Sequence, residues 1–455
     1  MSVFKAYDIR GTWPAPIDAR LAHRIGRAYG DFLGKGPVVV GRDMRTMAPE
    51  AHGAVIEGIR DAGLDVVDIG LSSTPQAYFA IAHLGAAGGM NVTASHNAKE
   101  YIGFKLCREQ AKPISADNGI REIERLATAA AAPAPRSARG RLERVDVLAD
   151  YAAHVARWAD LPRTVRLASD AANGMAAHTF PAVLARLGGK VEHHGLYFEL
   201  DGTFPNHEAN PLKHANLRDL QRHVAATGAE LGAAFDGDAD RCCFVDDRGR
   251  AIGNDIVTAL IAREILRREP GAAIVYDLRS SWVLPETVLA AGGRPVKERV
   301  GHSFLKARMR EHDAPFGGEL SGHYYFRGNW YADNSEIILL SVLSLLARST
   351  RPFSALLDEL MKYHSTGEVN FEVADKDAAL ARLKAAFADA DAVDEMDGVT
   401  ISYGDVRRPG WWWVNLRPSN TEPLLRMNLE SDDRGRMEEM TRKVVALLGA
   451  SPSDH

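Results

Sequence analysis

One local pattern occurs three times in this chain and leaves few folds open. An apolar run ends in a charged turn, a helix-like segment follows, then glycine, then a second apolar run. The first copy starts at Val38-Val39-Val40-Gly41-Arg42-Asp43, passes Ala62-Gly63 and resumes at Val66-Val67-Asp68-Ile69-Gly70. The second starts at Val165-Arg166-Leu167-Ala168-Ser169-Asp170, passes Leu187-Gly188-Gly189 and resumes from Val191 to Gly195. The third starts at Ala273-Ile274-Val275-Tyr276-Asp277, passes Ala291-Gly292-Gly293 and resumes at Pro295, with Gly301-His302 at the end of that strand. Glycine after each helix suits a left-handed C-cap. Strands alternating with helices at this spacing predict α/β units with crossover connections, each of about 30 residues. Such a repeat signals duplicated domains.

The length of 455 residues has room for two to four domains. A formal charge of −5 argues against a nucleic-acid partner, which calls for a basic surplus, so an anionic substrate must meet local positive charge. Three cysteines, Cys107, Cys242 and Cys243, make no disulfide framework, and a reducing cytoplasm is the expected compartment. Met1 to Arg10 has no apolar core and does not read as a signal peptide. The longest apolar run, Ile337 to Ala347, is too short to span a bilayer, so no membrane is expected.

After each copy come a further helix-like stretch, a short apolar strand and a loop rich in Gly, Asp, Ser or His. These loops are Thr93-Ala94-Ser95-His96-Asn97, Asp236 to Arg241, and Gly317 to His323. A fourth region begins near Lys362; its strand, Trp411 to Leu416, runs into Arg417-Pro418-Ser419-Asn420-Thr421-Glu422-Pro423. The expected units are 1–144, 145–249, 250–361 and 362–455. Ala127 to Arg141 reads as a loose connection, Asp246-Asp247-Arg248-Gly249 as the close of the second unit, and Arg348 to Pro352 as the break before the fourth. Polar loops at strand ends on rigid scaffolds are where binding and catalysis usually sit.

Asp236-Gly237-Asp238-Ala239-Asp240-Arg241 is the sharpest chemical signal. In an extended segment three carboxylates at alternate positions face one spot, which asks for a cation. Mg²⁺ is the candidate if a phosphate is near. An EF-hand calcium loop fits poorly, since its sixth position is Arg241 and its twelfth Asp247. A phosphatase with Asp236 as nucleophile would want Thr or Val where Asp240 stands. A plain solvated acidic turn is the remaining reading. Arg417 to Thr421 offers a guanidinium, hydroxyls, an amide and backbone donors, as a phosphate needs. Along Glu319-Leu320-Ser321-Gly322-His323, carboxylate, hydroxyl and imidazole alternate, a set suited to sugar hydroxyls. Tyr7, Arg10 and Arg279 could reach a shared cleft. No Gly-x-x-x-x-Gly-Lys-Ser/Thr loop occurs.

Together the four loops, in this order, resemble the α-D-phosphohexomutases, most of all their phosphomannomutase/phosphoglucomutase branch. The resemblance runs from Ala6-Tyr7-Asp8-Ile9-Arg10-Gly11 to Arg417-Pro418-Ser419-Asn420-Thr421-Glu422-Pro423. It implies four domains around a central cleft: three similar α/β units with mixed sheets and a smaller α+β fourth. It implies a hexose 1-phosphate to 6-phosphate interconversion on mannose or glucose, through a phosphoserine at Ser95 and a hexose 1,6-bisphosphate intermediate. Mg²⁺ would sit between Ser95 and Asp236, Asp238 and Asp240. Glu319, Ser321 and His323 would hold the sugar, and Arg417, Ser419, Asn420 and Thr421 its phosphate. Lys105 is the first choice for proton transfer and His302 the second; Arg241 and His96 join the catalytic groups, and Asn97 lines the cleft. The partners implied are small hexose phosphates, with a monomer expected ahead of a dimer. Leu320 and Asn420 place phosphoglucosamine mutase second, ahead of a weakened sugar-phosphate-binding protein. The family usually has Pro where Ala98 stands and Asn where Ile102 stands. Losing the proline should leave the Ser95 loop less restricted, and losing the amide removes a local hydrogen bond.

Overall fold

At the end of each repeat's first strand, or one residue past it, stands an aspartate whose carboxylate turns back on its own backbone. Asp43 Oδ1 accepts from the Arg45 amide at 2.9 Å, Asp170 Oδ1 from Ala172 at 2.8 Å, and Asp277 Oδ1 from Arg279 at 2.8 Å. Such turns satisfy the backbone where a strand stops. They mark equivalent points in three sheets.

The computed structural model describes residues 2–130, 134–419 and 424–453. In the first sheet the repeat strands Val38–Arg42 and Val66–Leu71 pair in parallel, and Gly88–Val92 lies parallel on the other side of Val38–Arg42. Tyr101–Arg108 then runs back antiparallel along Gly88–Val92. The second sheet repeats this with Val165–Asp170, Val191–Leu196, Leu231–Phe235 and Cys242–Asp246. The third uses Ala273–Asp277, Arg294–Glu298, Phe316–Gly318 and Tyr324–Phe326. In all three, the loop singled out in the sequence joins the third strand to its antiparallel neighbour. The fourth sheet is wholly antiparallel, and there the loop after Trp412–Pro418 leads into Leu425–Ser431.

Local differences from the sequence reading have physical causes. The third repeat's second strand stops at Glu298, and Gly301 caps a helix, His302–Glu311. His302 therefore opens a helix rather than ending a strand. The turn at Asp246 to Gly249 does not end the second sheet, because Ala251–Ile252 still pairs with Cys242–Asp246. The connection before Arg141 is not loose in its described part: Arg136, Arg139 and Arg141 pair with Asp31, Glu57, Asp61 and Asp65.

The apolar run Ile337 to Ala347 lies in the helix Ser335–Arg348, which is buried on nearly every face, as a helix apolar all round must be. It belongs to one hydrophobic cluster that joins the second and third units and takes in Phe79 of the first, while the first and fourth also have clusters of their own. Among the described residues no helix is long and apolar enough to cross a membrane.

In the first unit the helices Ala19–Leu33 and Ala48–Asp61 meet through glycine. A Cβ on Gly58 would stand 2.0 Å from the His23 carbonyl oxygen, and one on Gly26 2.2 Å from that of Val55. Gly58→Ala should force the helices apart and destabilise the first unit by about 1–3 kcal/mol. Denaturant unfolding followed by circular dichroism checks this; an unshifted midpoint would show that the helices are not in close contact.

Candidate active site

Ser95 sits at the end of the apolar strand Gly88–Val92, and its backbone is left-handed at φ 50°, a strained state for a residue with a Cβ. What holds it there is Arg45. The buried guanidinium donates to the carbonyls of Ser95 (2.8 Å), Asn97 (2.6 Å), Ala98 (2.7 Å) and Tyr101 (3.1 Å). Asp43, 3.2 Å from Arg45 Nε, balances its charge. Arg10 bonds Asn97 Oδ1 and Asp8. Ile102 is buried in the strand behind the loop, opposite Gly11. The loop that lacks the family's proline is thus fixed by an arginine on a neighbouring strand end.

The Ser95 hydroxyl donates to Asp236 Oδ2 at 2.8 Å and lies 3.1 Å from His96 Nδ1. Gly237 permits this approach, since a Cβ there would stand 2.5 Å from the Ser95 carbonyl oxygen. Asp236 to Asp240 is a turn and not the extended segment expected. Ala239 is left-handed at φ 58°, and Asp236 Oδ1 accepts from the amides of Asp240 and Arg241 at 3.1 Å. The carboxylates converge because the turn folds over, so alternation along a strand is not the cause. All three α/β units anchor it: Thr74 donates to Asp238, the Met175 amide to the Gly237 carbonyl, and Ser335 Oγ to the Ala239 carbonyl.

Asp236, Asp238 and Asp240 each offer an oxygen within 4.8 Å of the others, and all are buried. Lys105 Nζ donates to Asp238 Oδ2 at 2.7 Å and also to Asp240. Burial opposes the ammonium, but Asp238 and Asp240 outweigh it and raise its pKa, so Lys105 is a fixed cation here. Arg241 Nε is 3.8 Å from Asp236. Even so, burial and then the charges of Asp240 and Asp238 push the Asp236 carboxyl well above the usual range. Asp238 Oδ1 is buried without a hydrogen-bond partner. An all-oxygen set of three converging carboxylates with an orphaned acceptor fits a hard divalent cation. Asp240 also converges with His323 and Asp333, but Lys306 Nζ, 2.7 Å from Asp333 Oδ1, already neutralises that corner.

The third loop joins the same cluster. His323 bridges Asp240 (3.3 Å) and Glu319 (3.1 Å). Burial disfavours the imidazolium, but Asp240 and Glu319 outweigh it and push the pKa up to about 9. Glu319 also accepts from the Gly301 amide at 3.0 Å, Ser321 Oγ at 3.0 Å and Tyr325 Oη at 2.9 Å. Next along, the Leu320 amide donates to Asp277 at 2.7 Å, and Asp277 pairs with Arg279. Arg279 meets Glu368 of the fourth sheet at 2.9 Å, and Glu368 meets Arg417 at 3.1 Å. A chain of polar contacts therefore runs from Ser95 to Arg417. Tyr7 Oη donates to the Val300 carbonyl at 3.1 Å, and its ring meets that of His302 edge-on at 5.7 Å. Burial, then Lys306 and His323, holds His302 well below the usual histidine range, and its Nδ1 is buried without a hydrogen-bond partner. Burial and Arg241 do the same to His96. Of the fourth loop, Arg417 and Ser419 are described; Asn420 and Thr421 lie outside the described residues.

Sequence reasoning missed Arg45, Glu368 and Lys306. The charged turn at Arg42-Asp43 was a signal for the first; nothing local marks the other two.

The four parts of the chain match four family descriptions. Residues 1–133, 149–249 and 253–364 match the alpha/beta/alpha domains I, II and III of phosphoglucomutase/phosphomannomutase, and 368–447 its C-terminal domain. A phosphomannomutase of Salmonella typhimurium is 42% identical over 98% of this chain and 99% of its own. Phosphohexose mutases of Xanthomonas campestris are 40% identical over the same shares of the two chains. A crystal structure of a phosphoglucomutase/phosphomannomutase family protein from Burkholderia thailandensis superposes with a TM-score of 0.88, at 35% identity, over 99% of this chain and 98% of that one. With matches across all four domains and relatives along its whole length, this chain belongs to the phosphoglucomutase/phosphomannomutase family.

Proposed function

We propose that this protein interconverts hexose 1-phosphates and hexose 6-phosphates, on mannose or glucose, through a phosphoserine at Ser95. The observation that carries the reading is the Ser95 hydroxyl, 2.8 Å from a buried triad of aspartates that fits a divalent cation. The phosphoglucosamine reading is not favoured, since the full-length relatives bear the mannose or hexose name.

In the forward half-reaction the phosphoryl group on Ser95 passes to the free hydroxyl of the sugar phosphate. The bond from phosphorus to Ser95 Oγ breaks, one to the sugar oxygen forms, and a hexose 1,6-bisphosphate results. The bisphosphate turns over in the site, and its other phosphoryl group returns to Ser95. Arg45 keeps the Ser95 backbone in one pose throughout, so that little reorganisation is left for the transfer. Asp236, Asp238 and Asp240 would hold Mg²⁺, which would offset charge on the transferring group. Lys105 and Arg241 supply fixed positive charge at the same place. The base that takes the sugar hydroxyl's proton is Lys105 or His302, the latter through its unpartnered Nδ1. Glu319, with Ser321 and His323, orients the sugar hydroxyls, while Arg417 and Ser419, with Asn420 and Thr421, grip the phosphate that is not reacting. Tyr7, Arg10, Asn97 and Arg279 shape the cleft around it, and His96 flanks the Ser95 oxygen. Hexose phosphates are then the partners, and the compartment is one that holds them, the cytoplasm.

Ser95→Ala should lower turnover of mannose 1-phosphate at least about 10³-fold, and a phosphate adduct in the intact mass should vanish with it. Full activity in that variant, or an adduct mapped to Asp236, would sink the mechanism. Arg45→Lys cannot reach four carbonyls, so kcat should fall about 10–100-fold with KM nearly constant. A rise in KM alone would contradict its role in posing Ser95. Chelation should abolish turnover and added Mg²⁺ restore it; activity that survives exhaustive chelation would speak against the cation site.

A further inference from the structure

Glu368 belongs to no motif, yet its carboxylate gathers three guanidiniums from two domains. Arg279 Nη1 lies at 2.9 Å, Arg417 Nη2 at 3.1 Å and Arg426 Nη1 at 2.9 Å. The backbone is bent to allow it: the strand His364–Phe371 slips register against Leu425–Ser431 between Ser365 and Glu368, with Gly367 left-handed at φ 65°. A bulge of this kind re-aims a side chain. The result is an anion seated among arginines, the arrangement a phosphate would itself require. The Arg417 side chain is 2% exposed and that of Glu368 22%, so solvent reaches Glu368 more than the arginine it holds. Among the described residues Glu368 is the acidic partner within ion-pair distance of Arg417, and Arg417 Nε is buried without a hydrogen-bond partner.

We infer that Glu368 is a built-in competitor for the substrate's phosphate: it holds Arg417 when no phosphate is bound, yields it on binding, and reclaims it on release. The inference rests on Arg417 being the phosphate clamp. A bidentate grip on phosphate through the unpartnered Nε also needs Nη2, the nitrogen that Glu368 holds, so the carboxylate must give way. Competition of this kind weakens the clamp's grip, which a bisphosphate that must let go and turn around requires. It also couples the clamp to domain contact, because Arg279 is in the third domain and Glu368 in the fourth. When phosphate takes Arg417, Glu368 is left to Arg279 and Arg426 alone.

Calorimetric titration of the full chain with inorganic phosphate tests this without turnover. Glu368→Gln should bind phosphate about tenfold more tightly than the parent protein. Equal affinity would overturn the inference, and so would weaker binding rescued by Glu368→Asp, which would make Glu368 a support for Arg417. A second measurement needs no variant: amide exchange across 364–371 in the parent protein should speed up when inorganic phosphate is added. Unchanged exchange would likewise refute the competition. Arg417→Ala separates the two readings. If it leaves phosphate binding intact, the clamp assignment itself fails, whatever Glu368 does.

Discussion

Three carboxylates share one buried turn, and most of the molecule is arranged around the cost of keeping them there. Removing an ion from water costs several kcal/mol unless partners replace the solvent. Here the partners come from everywhere: a lysine from the first sheet, an arginine from the turn's own end, an imidazolium from the third loop and amides from the turn itself. The turn is also the place where three domains touch, through Thr74, Met175 and Ser335. Charge balance and domain assembly are therefore one problem. A change that disturbs the packing of the three units against each other must also disturb the charges at Ser95.

Much of this was legible in the chain. Strands that lead into Asp43, Asp170 and Asp277 repeat down to the turn that each carboxylate closes, because the hydrogen bond involved is local and the residue type dictates it. The four loops could be found because small and polar residues after an apolar strand are conspicuous. How they are shaped could not be read in the same way. Asp236 to Asp240 looked extended, yet Ala239 takes a left-handed backbone that nothing in its side chain announces. His302 looked like the end of a strand, and the Gly301 before it starts a helix instead.

The parts that escaped are those made by long-range contact with backbone. Arg45 acts on carbonyl oxygens about 50 residues away, and a carbonyl leaves no mark on a sequence. For that reason Ala98 and Ile102 seemed to weaken the Ser95 loop, while the residue that secures it lay in another part of the chain. Glu368 was hidden for a related reason. Its significance comes from a slipped register and three arginines, none of them near it in sequence. Lys306, fully buried against Asp333 beneath the third loop, has no motif at all.

The single core shared by the second and third units changes how the protein should be counted. Four sheets suggest four parts, but the helix Ser335–Arg348 gives two of them a common interior. In energetic terms the molecule has three bodies: a central block that carries the aspartate turn and the sugar loop, and one lobe on each side. The lobes bring the serine and the phosphate clamp. The first lobe is pinned to that block through Ser95, Thr74 and Lys105, whereas the fourth meets it through Arg279 and Trp282, so the site can widen at the phosphate clamp while its electrostatic centre stays in place.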